Sequence, residues 1–273
     1  MKLQELKALL TELGIRPSRK LGQNFLIDPN TIQRICRCAD IKDGDLIIEI
    51  GPGTGAMTDY LLQQDIDLIA VEYDVRLADY LRNTYGSYPN FTLIQADASR
   101  IDFDEVTNGR EWKCSANLPY SVSTVIMAKI AMQENLPKSM TLLLQNEMVD
   151  RISAPSGSKT YGSLSVRLQT LFEARKAGTV GPTVFWPPPD VDSAILTLQR
   201  KDDRLTPVEF KGFDKLVKHC FAQRRKKLKK RLASFITPEK AQQAFASSGL
   251  SPDARPEQLS PNDFIALFRA ISS

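Results

Sequence analysis

The chain has 273 residues, 42% of them apolar, which supplies a sizeable core and argues against a disordered protein. The net charge of +4 is unevenly spread: nine Lys or Arg and no acid fall between Lys215 and Arg231, leaving 27 basic against 32 acidic residues elsewhere, a concentration that suits a polyanionic partner. No apolar run approaches the roughly 20 residues of a membrane span, so a soluble cytoplasmic protein is expected, without membrane contact.

In chain order, Leu3, Leu6, Leu9, Leu10 and Leu13 share one face of an amphipathic N-terminal helix rather than a signal peptide. A basic turn follows, Arg16 to Lys20, and then Leu21-Gly22-Gln23-Asn24-Phe25-Leu26. Asp28-Pro29 reads as a helix start, with Asp28 as cap and Pro29 at the first position. Leu46 to Ile50 reads as a buried strand that ends in Gly51-Pro52-Gly53-Thr54-Gly55, with a helix over about 56–63. Strands are predicted at 68–71, 91–94, 113–116 and 140–144, and helices at 75–84 and 123–132. That alternation predicts an α/β fold: a doubly wound, mostly parallel sheet with helices on both faces. Residues 153–162 read as an exposed loop and 194–198 as the last strand of the large domain. Composition turns charged at 201–207. A boundary is therefore expected there, between a larger domain over 1–203 and a small helical domain over 204–273. In the latter, Phe213, Leu216, Val217, Cys220, Phe221, Leu228, Leu232, Phe235, Phe245, Leu250, Phe264, Leu267 and Phe268 form the expected core.

Cys36, Cys38, Cys114 and Cys220 do not have the spacing of a zinc site, and His219 is the single histidine. Metal chemistry and a Ser-His-Asp triad are therefore not expected. No feature indicates an oligomer.

The glycine turn allows close approach of backbone to a ligand, and the next helix directs free N–H groups at it. Its Gly-x-Gly-x-Gly spacing, preceded by Glu49, suits S-adenosyl-L-methionine better than a dinucleotide, because no pyrophosphate needs cradling. Glu72 ends the next strand, where a carboxylate accepts from both ribose hydroxyls; Asp97 follows the strand after, where a carboxylate accepts from the cofactor's adenine amine. Asn117-Leu118-Pro119-Tyr120 closes a third strand end. An adenine amine is a poor nucleophile because its lone pair is delocalised. Acceptance of its two hydrogens by the Asn117 side-chain oxygen and a backbone carbonyl, of Leu118 or Pro119, frees that lone pair. Pro119 stiffens the turn, and Tyr120 can stack on the base. No strong general base is needed, because the methylated nitrogen sheds its proton readily.

These motifs, with Phe185, Pro187 to Pro189, Val191-Asp192-Ser193-Ala194 and Phe221 with Gln223 to Lys226, make the sequence similar, nearly end to end, to the ribosomal RNA adenine dimethylase family, especially its bacterial small-subunit branch. The resemblance implies cofactor contacts from Asn24, Leu26, Gly51, Glu72, Asp97 and Asn117. Gln23, Gly53, Gly55, Tyr73 and Ala98 lie within the same motifs and join that set. It implies that Tyr120 and Phe185 sandwich the target adenine. Its usual substrate is a pair of adjacent adenosines in a hairpin loop near the 3′ end of small-subunit RNA, here expected within an assembling 30S particle. Asp190, Trp186 and Ser121-Val122 depart from the family's usual Lys, Phe-neighbour and Asn-Ile. Arg224, Arg225, Lys226, Lys227, Lys229 and Lys230 are expected to form, on a helix beside Leu228 and Leu232, a cationic face for RNA phosphates. Competing readings are an antibiotic-resistance methylase of large-subunit RNA, a non-catalytic ribosome-assembly protein and a DNA adenine methyltransferase.

Overall fold

The computed structural model describes residues 1–17, 23–224 and 226–272. Ser18, Arg19, Lys20, Leu21, Gly22 and Arg225, all singled out above, lie outside the described residues. Packing divides the chain into two compact units, Met1–Val149 with Arg175–Arg200, and Asp150–Ala174 with Lys201–Ser273.

The first unit contains, in chain order, α1 (Leu3–Glu12), β1 (Phe25–Leu26), α2 (Pro29–Cys38), β2 (Leu46–Ile50), α3 (Thr58–Leu61), β3 (Asp67–Glu72), α4 (Val75–Tyr85), β4 (Phe91–Gln95), α5 (Phe103–Thr107), β5 (Trp112–Asn117), α6 (Ser123–Ile130) and β6 (Ser139–Gln145). The chain continues through α7 (Asn146–Ile152), α8 (Ser163–Leu171), β7 (Phe172–Val180), β8 (Phe185–Trp186) and β9 (Ser193–Arg200). Seven strands form one sheet in the order β4-β3-β2-β5-β6-β9-β7, and β1 pairs antiparallel with β8. From β4 to β6 every pairing is parallel, and β9 runs antiparallel to β6. β3 and β4 follow outward from β2 on one side, and β6 from β5 on the other. The switch point between β2 and β5 opens a crevice at the strands' carboxyl ends.

Local chemistry accounts for these elements. All five residues of β2 are buried, as a central parallel strand requires. Asp28 caps α2, accepting from the Thr31 N–H at 2.8 Å with Pro29 in the first turn, and Asp74 caps α4 through the Arg76 N–H. Leu6 and Leu10 bury α1 in a cluster with Ile15, Phe25 and Leu77, while Leu3 is exposed.

Two expectations change here. The helix expected over 56–63 is one turn, α3. The strand β7 was not expected: its sequence, FEARKAGTV, carries three charges and three small residues, Ala174, Ala177 and Gly178, the pattern of a half-exposed edge rather than a core strand.

The second unit takes in residues 150–174, on the N-terminal side of the expected 203/204 boundary, because α8 packs on later helices. Those are α9 (Pro207–Phe221), α10 (Leu228–Leu232), α11 (Pro238–Ser248) and α12 (Pro261–Ser272). Thr206 and Glu209 form a capping box at the start of α9. Phe210, Phe213, Leu216, Val217, Cys220, Leu228, Leu232, Phe264 and Leu267 are buried. Phe235, expected in this core, is 38% exposed and packs its ring on His219, centroids 4.9 Å apart. The loop 153–162 is exposed or half-buried except at Ala154 and Tyr161, which are buried; the Tyr161 hydroxyl donates to the Leu259 carbonyl at 2.9 Å.

The basic run is not one continuous helix. α9 stops at Phe221 and α10 begins at Leu228, whose N–H donates to the Ala254 carbonyl. With no acid spaced at three or four residues, like charges weaken helix formation between them. Among the described residues no helix is long and apolar enough to cross a membrane.

Candidate active site

The crevice holds a cavity of about 320 Å³. Its walls are the turn after β2 (Glu49 to Thr54, with Ala56 and Met57), the ends of β3 (Val71 to Asp74) and β4 (Ala96 to Ala98), the segment after β5 (Asn117 to Val122) and the stretch Gln23 to Leu26. Of the expected site residues, Gln23, Asn24, Leu26, Gly51, Gly53, Glu72, Tyr73, Asp97, Ala98, Asn117, Leu118, Pro119 and Tyr120 are brought together here.

The glycine turn is shaped by close approach. Gly53 has φ +61, and a Cβ there would lie 3.3 Å from the Phe25 ring, so β1 folds tightly over the turn. Gly55 has φ +81 and does not line the cavity; a Cβ there would lie 2.4 Å from the Tyr85 hydroxyl. Its place is structural, because Tyr85 donates to Asp59 and braces the turn from α4.

Glu72 is buried and accepts three backbone N–H groups, from Gly53 at 3.1 Å, Tyr73 at 2.8 Å and Asp74 at 2.9 Å. It therefore ties the glycine turn to the end of β3. Burial raises its pKa, against the lowering influence of those donors. Asp97 is the opposite case. The Ser99 hydroxyl and N–H donate to it, and its carboxyl is held below the usual range. Glu49 is 1% exposed and accepts from the Thr58 hydroxyl at 2.7 Å; burial pushes its pKa up to about 8.

After β5, the Asn117 amide nitrogen donates to the Asn24 carbonyl at 3.0 Å. The Tyr120 hydroxyl shares a short hydrogen bond with Ser193 of β9, so its ring is tethered at the far end, and burial raises its pKa. Phe185 is not on the cavity wall. It pairs with Leu26 across β1 and β8 and is 2% exposed, within the cluster of Ile32, Ile35, Ile47 and Leu143. Trp186, next to it, lies against the α1 cluster with the Lys7 ammonium 5.5 Å from its centroid.

Asp74, Met57, Leu77 and Ile126 also line the cavity, outside the sequence motifs. Asp74 carried a signal as a helix cap two positions after Glu72. The apolar three carry none, since their helical spacing matches any core face. Among the described residues, the lining contains four carboxylates, Glu49, Glu72, Asp74 and Asp97, and no Lys, Arg or His.

In the second unit, the basic residues divide. Arg224 donates to the Ser158 and Lys159 carbonyls at 3.1 and 2.9 Å and lies 4.0 Å from Glu257. Lys227 and Lys229 both pair with Asp253, at 3.3 and 2.8 Å. Arg231 is buried, donating to the His219 carbonyl and the Gln223 side chain. Lys226 and Lys230 are exposed and engage no described acid.

A parallel sheet with this switch point, and a nucleoside-sized crevice at its carboxyl edge, define a class I methyltransferase fold. The sequence profile described as Ribosomal RNA adenine dimethylase matches residues 15–273, and the chain belongs to that family of methyltransferases. It is 36% identical over 277 residues to the Ribosomal RNA small subunit methyltransferase A of Protochlamydia amoebophila, covering 100% of this chain and 97% of that one. The Geobacter metallireducens protein of the same name is 37% identical over 265 residues, covering 94% and 96%. Among solved structures, a dimethyladenosine transferase from Plasmodium falciparum superposes with a TM-score of 0.74 at 25% identity, covering 89% of this chain and 95% of that one. The 23S rRNA methyltransferase ErmE shares the fold with a TM-score of 0.70 at 24% identity, covering 92% of this chain and all of that one.

Proposed function

We propose that this protein uses S-adenosylmethionine to dimethylate the N6 amines of two adjacent adenosines in a hairpin loop near the 3′ end of small-subunit ribosomal RNA, acting during assembly of the 30S particle. Membership of the adenine dimethylase family supports the reaction class. The observation that carries the cofactor assignment is the cavity lining, which among the described residues presents four carboxylates and no cation. Such a wall repels a pyrophosphate and favours a ligand with a sulfonium and an ammonium group.

When bound, S-adenosylmethionine supplies an electrophilic methyl group. Glu72 offers its carboxylate to the ribose hydroxyls while its backbone donors hold it in place. Asp97 stays ionised and accepts from the adenine amine. Gly51, Gly53, Gln23, Asn24 and Leu26 supply close backbone walls. The Asn117 amide, held through its nitrogen by Asn24, keeps its oxygen to accept one hydrogen of the target amine. The Leu118 or Pro119 carbonyl accepts the other. The amine lone pair is then freed for attack, and the proton leaves to water. Orienting the reacting atoms can contribute roughly 7–11 kcal/mol.

Tyr120, anchored by Ser193, provides the stacking face, worth about 1–3 kcal/mol per base. Phe185 is assigned to packing behind Leu26 rather than to a sandwich. An unpaired loop base is cheaper to extrude than a paired one. Residues 1–203 are assigned to the catalytic part and 204–273 to RNA binding, with Lys226, Lys227, Lys229 and Lys230 toward phosphates.

Tritium transfer from labelled cofactor to purified small and large subunits, followed by mass-spectrometric mapping of the modified nucleotides, tests this reading. Dimethylated adjacent adenosines are expected. Label confined to large-subunit RNA, or no transfer at all, would favour the resistance-methylase or assembly-factor reading.

A further inference from the structure

We infer that Glu49 is the residue by which the site tells its cationic cofactor from the neutral thioether product: the carboxyl is protonated in the ligand-free protein and gives that proton to solvent when the sulfonium binds. This rests on the cofactor assignment made above.

Glu49 is the fourth residue of β2, between Ala70 of β3 and Ser115 of β5, and it lines the cavity. It is 1% exposed, and the Thr58 hydroxyl is its hydrogen-bond donor. A glutamine would accept that bond equally well, so what sets Glu49 apart is the charge it can carry.

Among the described residues, no cation faces that charge. The titratable groups facing it are Glu72 from β3, Asp59 from α3, Cys36 from α2, Cys114 from β5 and Tyr85 from α4. Two are carboxylates, and the other three are pushed up and stay neutral near pH 7. Among the described residues, no Lys, Arg or His is on the cavity wall. A carboxylate so placed takes up a proton rather than remain charged and unpaired. Its pKa of about 8 agrees, with desolvation as the main cause and Glu72 and Asp59 adding to it.

A sulfonium in the cavity supplies the missing cation. The bound state then holds Glu49 ionised, and one proton goes to solvent. The product, lacking the sulfonium charge, gives less inducement to ionise. Methyl transfer would thus weaken the hold on the spent cofactor without any movement of the fold.

The test is titration calorimetry of wild type and Glu49→Gln, with S-adenosylmethionine and S-adenosylhomocysteine, in buffers of different ionisation enthalpy. At pH 7 wild type should release close to one proton per sulfonium ligand bound, and fewer with the thioether. The variant should lose that difference. Titration of the ligand's own amine is common to both proteins and cancels. With a group of pKa about 8, the preference of wild type for the sulfonium should rise by up to about tenfold between pH 7 and pH 9. Equal proton release by wild type and variant overturns the inference. Should the variant not fold, a preference in wild type that stays flat from pH 7 to pH 9 overturns it too. If wild type binds neither ligand, the cofactor assignment itself fails, an outcome distinct from binding without proton release.

Discussion

The side chain of Asn117 and the main chain of Asn24 are joined by a 3.0 Å hydrogen bond, in which the Asn117 amide nitrogen is the donor. The bond links the end of β5 to the stretch before β1, which are 93 residues apart in sequence. It also fixes which atom faces which way. The nitrogen is occupied, and the amide oxygen makes no hydrogen bond to a described residue, so it remains available to accept.

Asn117→Asp tests that polarity. The variant keeps the size but has no N–H for Asn24, and it adds a carboxylate to a cavity that already has four. Loss of orientation and acceptor geometry should lower methyl transfer by at least about 100-fold, the scale expected for a misplaced positioning group. RNA binding, measured separately by filter retention, should be within about twofold of wild type. Turnover near the wild-type rate would remove Asn117 from the mechanism.

Glu72→Ala should act on both fold and ligand. Three backbone N–H groups lose a charged acceptor at once, at Gly53, Tyr73 and Asp74. Leaving buried donors unpaired costs about 1–3 kcal/mol each, and water entering the cavity offsets part, so a net loss of about 2–4 kcal/mol is expected. Thermal denaturation without ligand reads the first effect, and calorimetric titration with S-adenosylmethionine reads the second. An unchanged melting temperature would show that the carboxylate does not brace the glycine turn.

The sheet and the cofactor side of this site were legible because each rests on a local signal. The buried run Leu46 to Ile50, the Asp28-Pro29 cap and an acid at the end of each neighbouring strand are all short-range patterns. What was not legible depends on partners far along the chain. Phe185 reads as an aromatic available for a base, and only its pairing with Leu26 shows that it is enclosed. Arg231 reads as one more cation, yet it is buried against the carbonyl of His219. The acid that pairs with Lys227 and Lys229 is Asp253, beyond the reach of any window over the basic run.

Gly55→Ala should destabilise the protein while leaving the cavity wall chemically intact. Its φ of +81 is strained for any residue with a Cβ, and the new atom would collide with the Tyr85 hydroxyl. A loss of about 1–3 kcal/mol is expected from the backbone alone. Adding Tyr85→Phe to Gly55→Ala should recover part of it by removing the obstructing oxygen. Chemical denaturation of the single and double variants measures both, and a double variant less stable than the sum of its parts would contradict the steric account.

The basic residues of the second unit should separate into two groups under salt titration. Lys226 and Lys230 are exposed and engage no described acid, so their replacement by Ala should flatten the salt dependence of RNA binding by about 0.7–0.9 per lysine. Arg224 instead holds the loop carbonyls of Ser158 and Lys159. Arg224→Ala should therefore lower thermal stability and change the salt slope less than either lysine does. A larger slope change at Arg224 would return it to the phosphate-contacting set.

Glu49 should leave a mark on stability as well as on binding. Its pKa is about 8 in the folded protein, against an ordinary 4.5. Between those values the folded protein binds the extra proton, so stability is fullest below about pH 4.5 and falls as pH rises toward 8. One such group changes stability by at most about 1.4 kcal/mol per pH unit. Glu72, also raised by burial, acts in the same direction and is present in both proteins of the comparison. Ligand-free Glu49→Gln should therefore lose less stability than wild type between pH 5 and pH 8, as read by the difference in their melting temperatures across that range. Two melting curves that stay parallel with pH would mean that Glu49 keeps its charge when the protein is alone.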